Sequence, residues 1–236
     1  MAANASLAAL YRPQTFAEVV GQDMVKSILS RAAREDRVAP AYLLSGTRGV
    51  GKTTIARIFA KALNCEHAPT GEPCNQCEAC RRITQGSFVD VVEIDGASNR
   101  GIDDIRRLRD AVGYAPLEGR YKVFIIDEAH MLTKEAFNAL LKTLETPPGD
   151  AMFILISDAP GTLLPTILSR CQSVRFGDLP VEDCAQVLER RGMDPQRAQL
   201  LSGMAQGSVG LSPARPGGAA PQPLGSTSLP SPWSSG

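Results

Sequence analysis

Residues 46–53 read Gly-Thr-Arg-Gly-Val-Gly-Lys-Thr and complete the pattern G-x-x-x-x-G-K-[ST]. They lie between an apolar run, Ala41-Tyr42-Leu43-Leu44, and a helical pattern from Thr54 to Leu63. A strand, a glycine-rich turn and a helix start in that order predict an α/β architecture with a phosphate site at the turn. Gly46, Gly49 and Gly51 let the backbone curl, so that the N–H groups of Thr47, Arg48, Val50 and their neighbours face phosphate oxygens. The following helix, which opens through Thr54, adds partial positive charge there. Lys52 is expected to reach the β- and γ-phosphates, and Thr53 to hold Mg²⁺.

A second segment supplies the acids. Residues 123–130, Val-Phe-Ile-Ile-Asp-Glu-Ala-His, begin with four apolar residues typical of a buried parallel strand. Such a strand delivers Asp127 and Glu128 to the carboxyl edge of the sheet, where phosphates sit. Asp127 is expected to hold Mg²⁺ through its water shell, and Glu128 to polarise the attacking water. ATP hydrolysis is therefore expected, and not binding alone.

The 236 residues have room for one large domain and part of a second. Acidic and basic residues balance at 25 each, which excludes a polybasic nucleic-acid binder and confines any DNA contact to a local patch. The opening residues, Met-Ala-Ala-Asn-Ala-Ser-Leu, lack a basic region followed by a long apolar core. No stretch approaches the roughly 20 apolar residues of a membrane span. A soluble, cytoplasmic location is expected.

Four of the six cysteines, Cys65, Cys74, Cys77 and Cys80, share the spacing C-x8-C-x2-C-x2-C, whereas Cys171 and Cys184 are isolated. Thr70-Gly71-Glu72-Pro73 supplies a turn between the first two, bringing four thiolates within reach of one tetrahedral Zn²⁺. A closed four-thiolate site has no open position, so the zinc reads as structural. A disulfide framework and unpaired structural cysteines are the competing readings of the same cluster. His67 is a further candidate ligand, and a solvated loop histidine is its alternative.

Strand and helix signals alternate along the chain. Strands are expected at 41–44, 89–94, 121–126 and 151–156, and helices at 23–33, 52–63, 102–111 and 133–145. Thr133 is a candidate cap for the last helix, and Pro147-Pro148 a stop. This alternation predicts a parallel sheet covered by helices on both faces. Residues 181–205 read as helical with a break near Gly192 and Pro195. Pro, Gly and Ser dominate 211–236, Arg215 is the only charge there, and disorder is expected.

The loop and acid pair alone indicate the wide class of AAA+ and related ATPases. Further marks are Tyr11-Arg12-Pro13-Gln14-Thr15-Phe16, Val20-Gly21-Gln22, the cysteine insertion, Asp127-Glu128-Ala129-His130, Leu140 to Glu145, and Ser169-Arg170-Cys171. With these, the chain resembles the gamma/tau subunit family of the bacterial DNA polymerase III clamp loader, most closely over residues 8–148. Beyond Pro148 it is nearly as similar to the delta-prime subunit. The resemblance implies an AAA+ P-loop domain over 1–178 with a zinc insertion at 64–81, a partial helical lid over 179–210, and a tail over 211–236. It also implies a longer chain with a completed lid and a helical collar, so this sequence reads as a truncated or divergent member.

The resemblance further implies that ATP binding shapes an arc of subunits that opens the sliding clamp on primer–template DNA. The implied partners are delta, delta-prime and further gamma/tau copies, with the alternative of a non-catalytic, delta-prime-like subunit. Arg170 is implied as an arginine finger that reaches a neighbour's site. Tyr11, Arg12 and Pro13, with Val19 and Val20, are implied on the adenine side. Ser157 stands at the position of a polar γ-phosphate sensor, although a Thr-Thr pair usual in the family reads Ser157-Asp158 here. Gly207-Ser208-Val209-Gly210 has glycine where a lid arginine sensor is expected. Ser98-Asn99-Arg100-Gly101 opens a helix suited to backbone phosphates, or is a solvated loop. No two-carboxylate polymerase site is present in the sequence; a polymerase label describes the complex.

Overall fold

The computed structural model describes residues 12–98, 108, 112–145, 150–190 and 192–204. Strands β1 (Ala41–Ser45), β2 (Val91–Asp95), β3 (Lys122–Asp127), β4 (Ala151–Ser157) and β5 (Gln172–Arg175) form one sheet. Their order is β2-β3-β4-β1-β5, and every pairing is parallel. Around the sheet lie helices α1 (Asp23–Glu35), α2 (Lys52–Asn64), α3 (Glu78–Gln85), α4 (Lys134–Glu145), α5 (Pro165–Leu168), α6 (Val181–Arg190) and α7 (Pro195–Met204).

The central strands are apolar at nearly every position because successive side chains enter opposite cores. Tyr42, Leu44, Val123, Ile125, Met152, Ile154 and Ile156 pack with Val25 and Leu29 of α1 and with Ile55, Ile58 and Phe59 of α2. The intervening Leu43, Phe124, Ile126, Phe153 and Leu155 pack with Ala136, Phe137, Leu140 and Leu144 of α4. Aromatic pairs mark both layers: Tyr42 meets Phe59 edge-on and Phe124 stacks on Phe153, each at 5.3 Å between ring centres. A separate small cluster, Leu179, Cys184, Ala185, Leu188 and Ala198, holds α6 to α7.

The expected elements that lie among the described residues fall where the structure has them, within two residues at their ends. Thr133 accepts the N–H of Ala136 at 3.2 Å, capping α4 as its position implies. The helical region near the end of the described residues divides into α6 and α7 on either side of Gly192. The expected helix at 102–111 and the tail at 211–236 lie outside the described residues, as does the Gly207–Gly210 segment. Strand β5 and helices α3 and α5 have no counterpart among the expected elements.

Asp90, just before β2, is almost fully buried and gathers a backbone turn around its carboxylate. The N–H of Leu117 reaches both of its oxygens at 2.9 and 3.0 Å, and those of Glu118 and Gly119 donate at 2.7 and 2.8 Å. Burial opposes ionisation, but these donors, with Lys122 behind them, outweigh it and hold the carboxyl below its ordinary range. A depressed carboxylate contributes stability that is present above its unfolded pKa and is lost as pH falls through the folded value. Asp90→Asn is therefore expected to cost about 2 kcal/mol at neutral pH. That difference should shrink below about pH 4 in urea unfolding measured across pH.

Candidate functional site

A parallel sheet presents its binding crevice at the carboxyl ends of its strands. Here β1 and β3 flank β4, so the loops that follow them emerge side by side. After Ser45 the chain turns sharply. At Gly46 a Cβ would stand 2.8 Å from the Phe176 carbonyl oxygen and 2.9 Å from the Phe176 Cβ, so that only glycine fits against β5. Gly51, at φ +98°, makes the last left-handed step before α2 begins at Lys52.

The loop curls around the Lys52 ammonium, which donates to the carbonyls of Gly46 and Thr47 at 2.7 and 2.6 Å. Burial lowers the Lys52 pKa from its ordinary value, opposed by the nearby Asp158 and Asp127 carboxylates. One residue on, the Thr53 hydroxyl donates to Asp127 Oδ2 at 2.7 Å. The other Asp127 oxygen accepts the N–H of Glu128 at 2.8 Å. A hydroxyl and a carboxylate at this separation fit a hard divalent cation that prefers oxygen ligands. Glu128 takes a left-handed conformation at φ 46°, which a non-glycine residue adopts only under constraint from its surroundings. Its carboxylate lies 3.4 Å from the Arg48 guanidinium.

These residues line a cavity of about 390 Å³. Arg48, Gly49, Val50, Gly51, Lys52, Thr53 and Thr54 form one wall, and Asp127, Glu128 and Ser157 the floor. Arg12, Pro13, Val19 and Val20, from the segment before α1, line the same cavity. Gly46 and Thr47 are not among the lining residues. The Thr47 hydroxyl instead donates to Asp178 at 2.6 Å. Tyr11 lies outside the described residues, as do Asn99, Arg100 and Gly101 of the segment considered for phosphate contacts.

Several lining groups were not given roles from sequence. His130 sits between Asp158, 3.1 Å from its Nε2, and the Ser157 hydroxyl, 3.4 Å from its Nδ1. Ser157 Oγ also accepts the N–H of Ala159 at 3.1 Å. Leu179 and Val187, from the α6 segment, close the apolar side. For His130 the only sequence signal was its place after the acid pair. For Leu179 and Val187 there was none, since the amphipathic pattern of α6 reports burial and not what lies beside it.

The cysteine insertion is a compact annex beside α2. The Sγ atoms of Cys65, Cys74, Cys77 and Cys80 all lie within 4.8 Å of one another, and His67 is not part of this group. Cys74 Sγ accepts the N–H of Gln76 and Cys77 at 3.4 and 3.3 Å, and Cys77 Sγ that of Cys80 at 3.4 Å. Backbone donors aimed at sulfur stabilise thiolate. At Cys74 they outweigh burial and lower the thiol to about 6, whereas burial raises Cys65 and Cys80. Four converging sulfurs with such donors fit a tetrahedral thiolate-bound ion.

Arg170 stands apart from the cavity. It follows α5, and its guanidinium pairs with Glu145 at the end of α4 at 2.6 Å and donates to the Thr166 carbonyl at 2.7 Å. It does not line the cavity of its own chain.

A five-stranded parallel sheet in this order, with a phosphate loop after the strand next to β4 and an acid pair after β3, defines the AAA+ class of P-loop NTPases. RuvB of Thermotoga maritima, a Holliday junction branch migration motor, shares the fold with a TM-score of 0.61 at 20% identity, over 84% of this chain and 61% of that one. A DNA polymerase III gamma subunit-related protein of the same organism gives 0.51 at 26% identity, over 75% and 57%.

A family model described as "DNA polymerase III, delta subunit" matches residues 21–180. The tau subunit of Salmonella typhimurium is 50% identical over 209 residues, covering 86% of this chain. The tau subunit of Bacillus subtilis is 56% identical over 167 residues, covering 71%. The chain belongs to the gamma/tau family of DNA polymerase III subunits. It spans 33% and 30% of the length of those two relatives.

The Arg170–Glu145 pair is one-third to one-half exposed, so solvent screens it. Arg170→Ala is expected to change the unfolding free energy of the isolated chain by less than about 1 kcal/mol in urea titration. Any larger loss of function would then have to arise outside the chain's own fold.

Proposed function

We propose that the chain is the ATP-binding and ATP-hydrolysing part of a clamp-loader subunit that serves DNA replication. The observation that carries this reading is the 2.7 Å contact between the Thr53 hydroxyl and the Asp127 carboxylate beside Lys52. It unites the phosphate loop and the acid pair in one cavity. Lys52 neutralises the β- and γ-phosphates, exchanging its carbonyl partners for phosphate oxygens. Thr53 and Asp127 hold Mg²⁺, which when bound shields phosphate charge. Glu128 orients and polarises the attacking water once its carboxylate leaves Arg48. Ser157 faces the terminal phosphate, with His130 and Asp158 setting its orientation. Arg12 and Val20, with Tyr11, Pro13 and Val19, receive the nucleoside.

Arg170 serves a neighbouring copy, a reading supported by its absence from the lining of its own cavity and its half-open position beside Glu145. An arginine supplied in trans is worth roughly 10³ to 10⁵ in rate in related phosphoryl-transfer systems. The partners on this reading are delta, delta-prime and gamma/tau subunits, the sliding clamp and primer–template DNA. Residues 1–178 form the ATPase domain, 179–210 a partial lid and 211–236 a tail. The location is the bacterial cytoplasm; no described helix is long and apolar enough to cross a membrane. A second reading, a non-catalytic delta-type partner, draws on the description of the matching family model. An intact loop with both acids present weighs against it.

Lys52→Ala is expected to abolish ATP binding in equilibrium titration, because the other donors of the loop are mostly backbone. Glu128→Gln is expected to retain binding while steady-state turnover with partner subunits and primed DNA falls at least about a hundredfold. Turnover unchanged in Glu128→Gln would favour the non-catalytic reading or a different base. The reduced protein is expected to contain one Zn²⁺ per chain, bound by Cys65, Cys74, Cys77 and Cys80. Elemental analysis should find the metal reduced to a minor fraction in Cys80→Ser.

A further inference from the structure

Part of the cavity lining comes from a short arm, residues 12–20, with little regular structure of its own. Its position is set from behind, by the cysteine insertion. Glu72, in the loop between Cys65 and Cys74, reaches across 56 residues of sequence to accept the N–H of Phe16 at 2.9 Å with one oxygen. The other oxygen accepts the N–H of Ala17 at 3.1 Å. A carboxylate taking two consecutive backbone donors is a charge-assisted clamp on a turn. Thr70 steadies Glu72 in turn, its hydroxyl donating to the Glu72 carbonyl at 3.0 Å.

A second tether runs through Lys61, a lysine of α2 that is only 2% exposed. Its ammonium donates to Gln14 Oε1 at 2.6 Å and to Asn75 Oδ1 at 2.8 Å, joining the arm to the loop between Cys74 and Cys77. Thr84 of α3 donates to the same Gln14 oxygen at 3.2 Å. Gln14 passes the constraint forward, because its Nε2 donates to the Arg12 carbonyl at 2.9 Å. Arg12 lines the cavity, and its Nη1 is buried with no hydrogen-bond partner among the described residues. On the other side of the clamped turn, Val19 and Val20 line the same cavity.

We propose that Glu72, with the Lys61–Gln14 tether beside it, is a positioning element for the nucleoside half of the cavity. On this account the cysteine insertion sets how tightly base and ribose are held while leaving the phosphate half untouched. The inference rests on the nucleotide reading given above. It separates two parts of one ligand: the triphosphate meets the loop, Lys52 and the acid pair, whereas the nucleoside meets a wall whose backbone is fixed by the insertion. Arg12 then offers the ligand a polar contact from this arm.

The test compares ATP with inorganic tripolyphosphate, each titrated with Mg²⁺ against the full chain, with metal content and thermal midpoint recorded for every variant. Glu72→Ala is expected to raise the ATP Kd about tenfold and the tripolyphosphate Kd less than about twofold. Glu72→Gln keeps an acceptor and is expected to fall between. Gln14→Ala changes no residue of the cysteine loop and is expected to weaken ATP alone, by about threefold, which keeps the question answerable if Glu72→Ala fails to fold. Unchanged ATP affinity in the folded variants would overturn the proposal, as would equal losses for both ligands. A parent chain that binds tripolyphosphate as tightly as ATP would overturn it too. A parent that binds neither would instead remove the nucleotide reading, and the proposal with it.

Discussion

Strand β4 fixes the spacing on which the cavity depends. It pairs in parallel with β1 on one side and β3 on the other, with Leu155 opposite Leu43 and Ile126. Two adjacent strand spacings place the ends of β1 and β3 about 9–10 Å apart. The loop after β1 and the acids after β3 close that gap, until Thr53 and Asp127 meet at 2.7 Å. The register is specified because both faces are buried. A slip of one residue would exchange the two apolar sets between the α1–α2 core and the α4 core, and would carry Asp127 away from the loop.

Around this edge the remaining parts of the lining are attached by close packing and by individual polar contacts. The phosphate loop packs against the turn after β5 at Gly46, where the Phe176 carbonyl leaves no room for a side chain. The arm before α1 is held by Glu72 and Gln14, and the apolar side by Leu179 and Val187. A buried ammonium such as Lys61 is costly unless its donors are satisfied, and it is satisfied here by side chains from the arm, the cysteine loop and α3. One charge thereby ties three segments together. The cysteine insertion is a brace for the arm as much as a cluster of thiols.

How much of this was legible in the sequence follows from the range of the interactions. Strands β1, β3 and β4 are continuous apolar runs because they are buried on both faces, so their existence and place along the chain could be read directly, though not their order in the sheet. Strand β5 could not, since Gln172-Ser173-Val174-Arg175 lies at the edge and buries only Val174. The phosphate loop and acid pair announce themselves by local spacing, as do the four cysteines. The groups that sequence missed are joined by contacts that follow no local period: Asp158 on His130, Glu72 on Phe16 and Ala17, Leu179 and Val187 on the cavity. Asp90 belongs with them, for only the folded chain brings residues 117–119 around it.

Thr53 and Asp127, if they join the loop and the acids into one nucleotide site, make that site depend on Mg²⁺. Calorimetric titration of the full chain with a slowly hydrolysed ATP analogue, with and without added Mg²⁺, measures that dependence. One site per chain is expected, at least about tenfold tighter with Mg²⁺, with loss of that difference in Asp127→Ala. Equal affinity with and without Mg²⁺, or a Mg²⁺ effect that persists in Asp127→Ala, would contradict it.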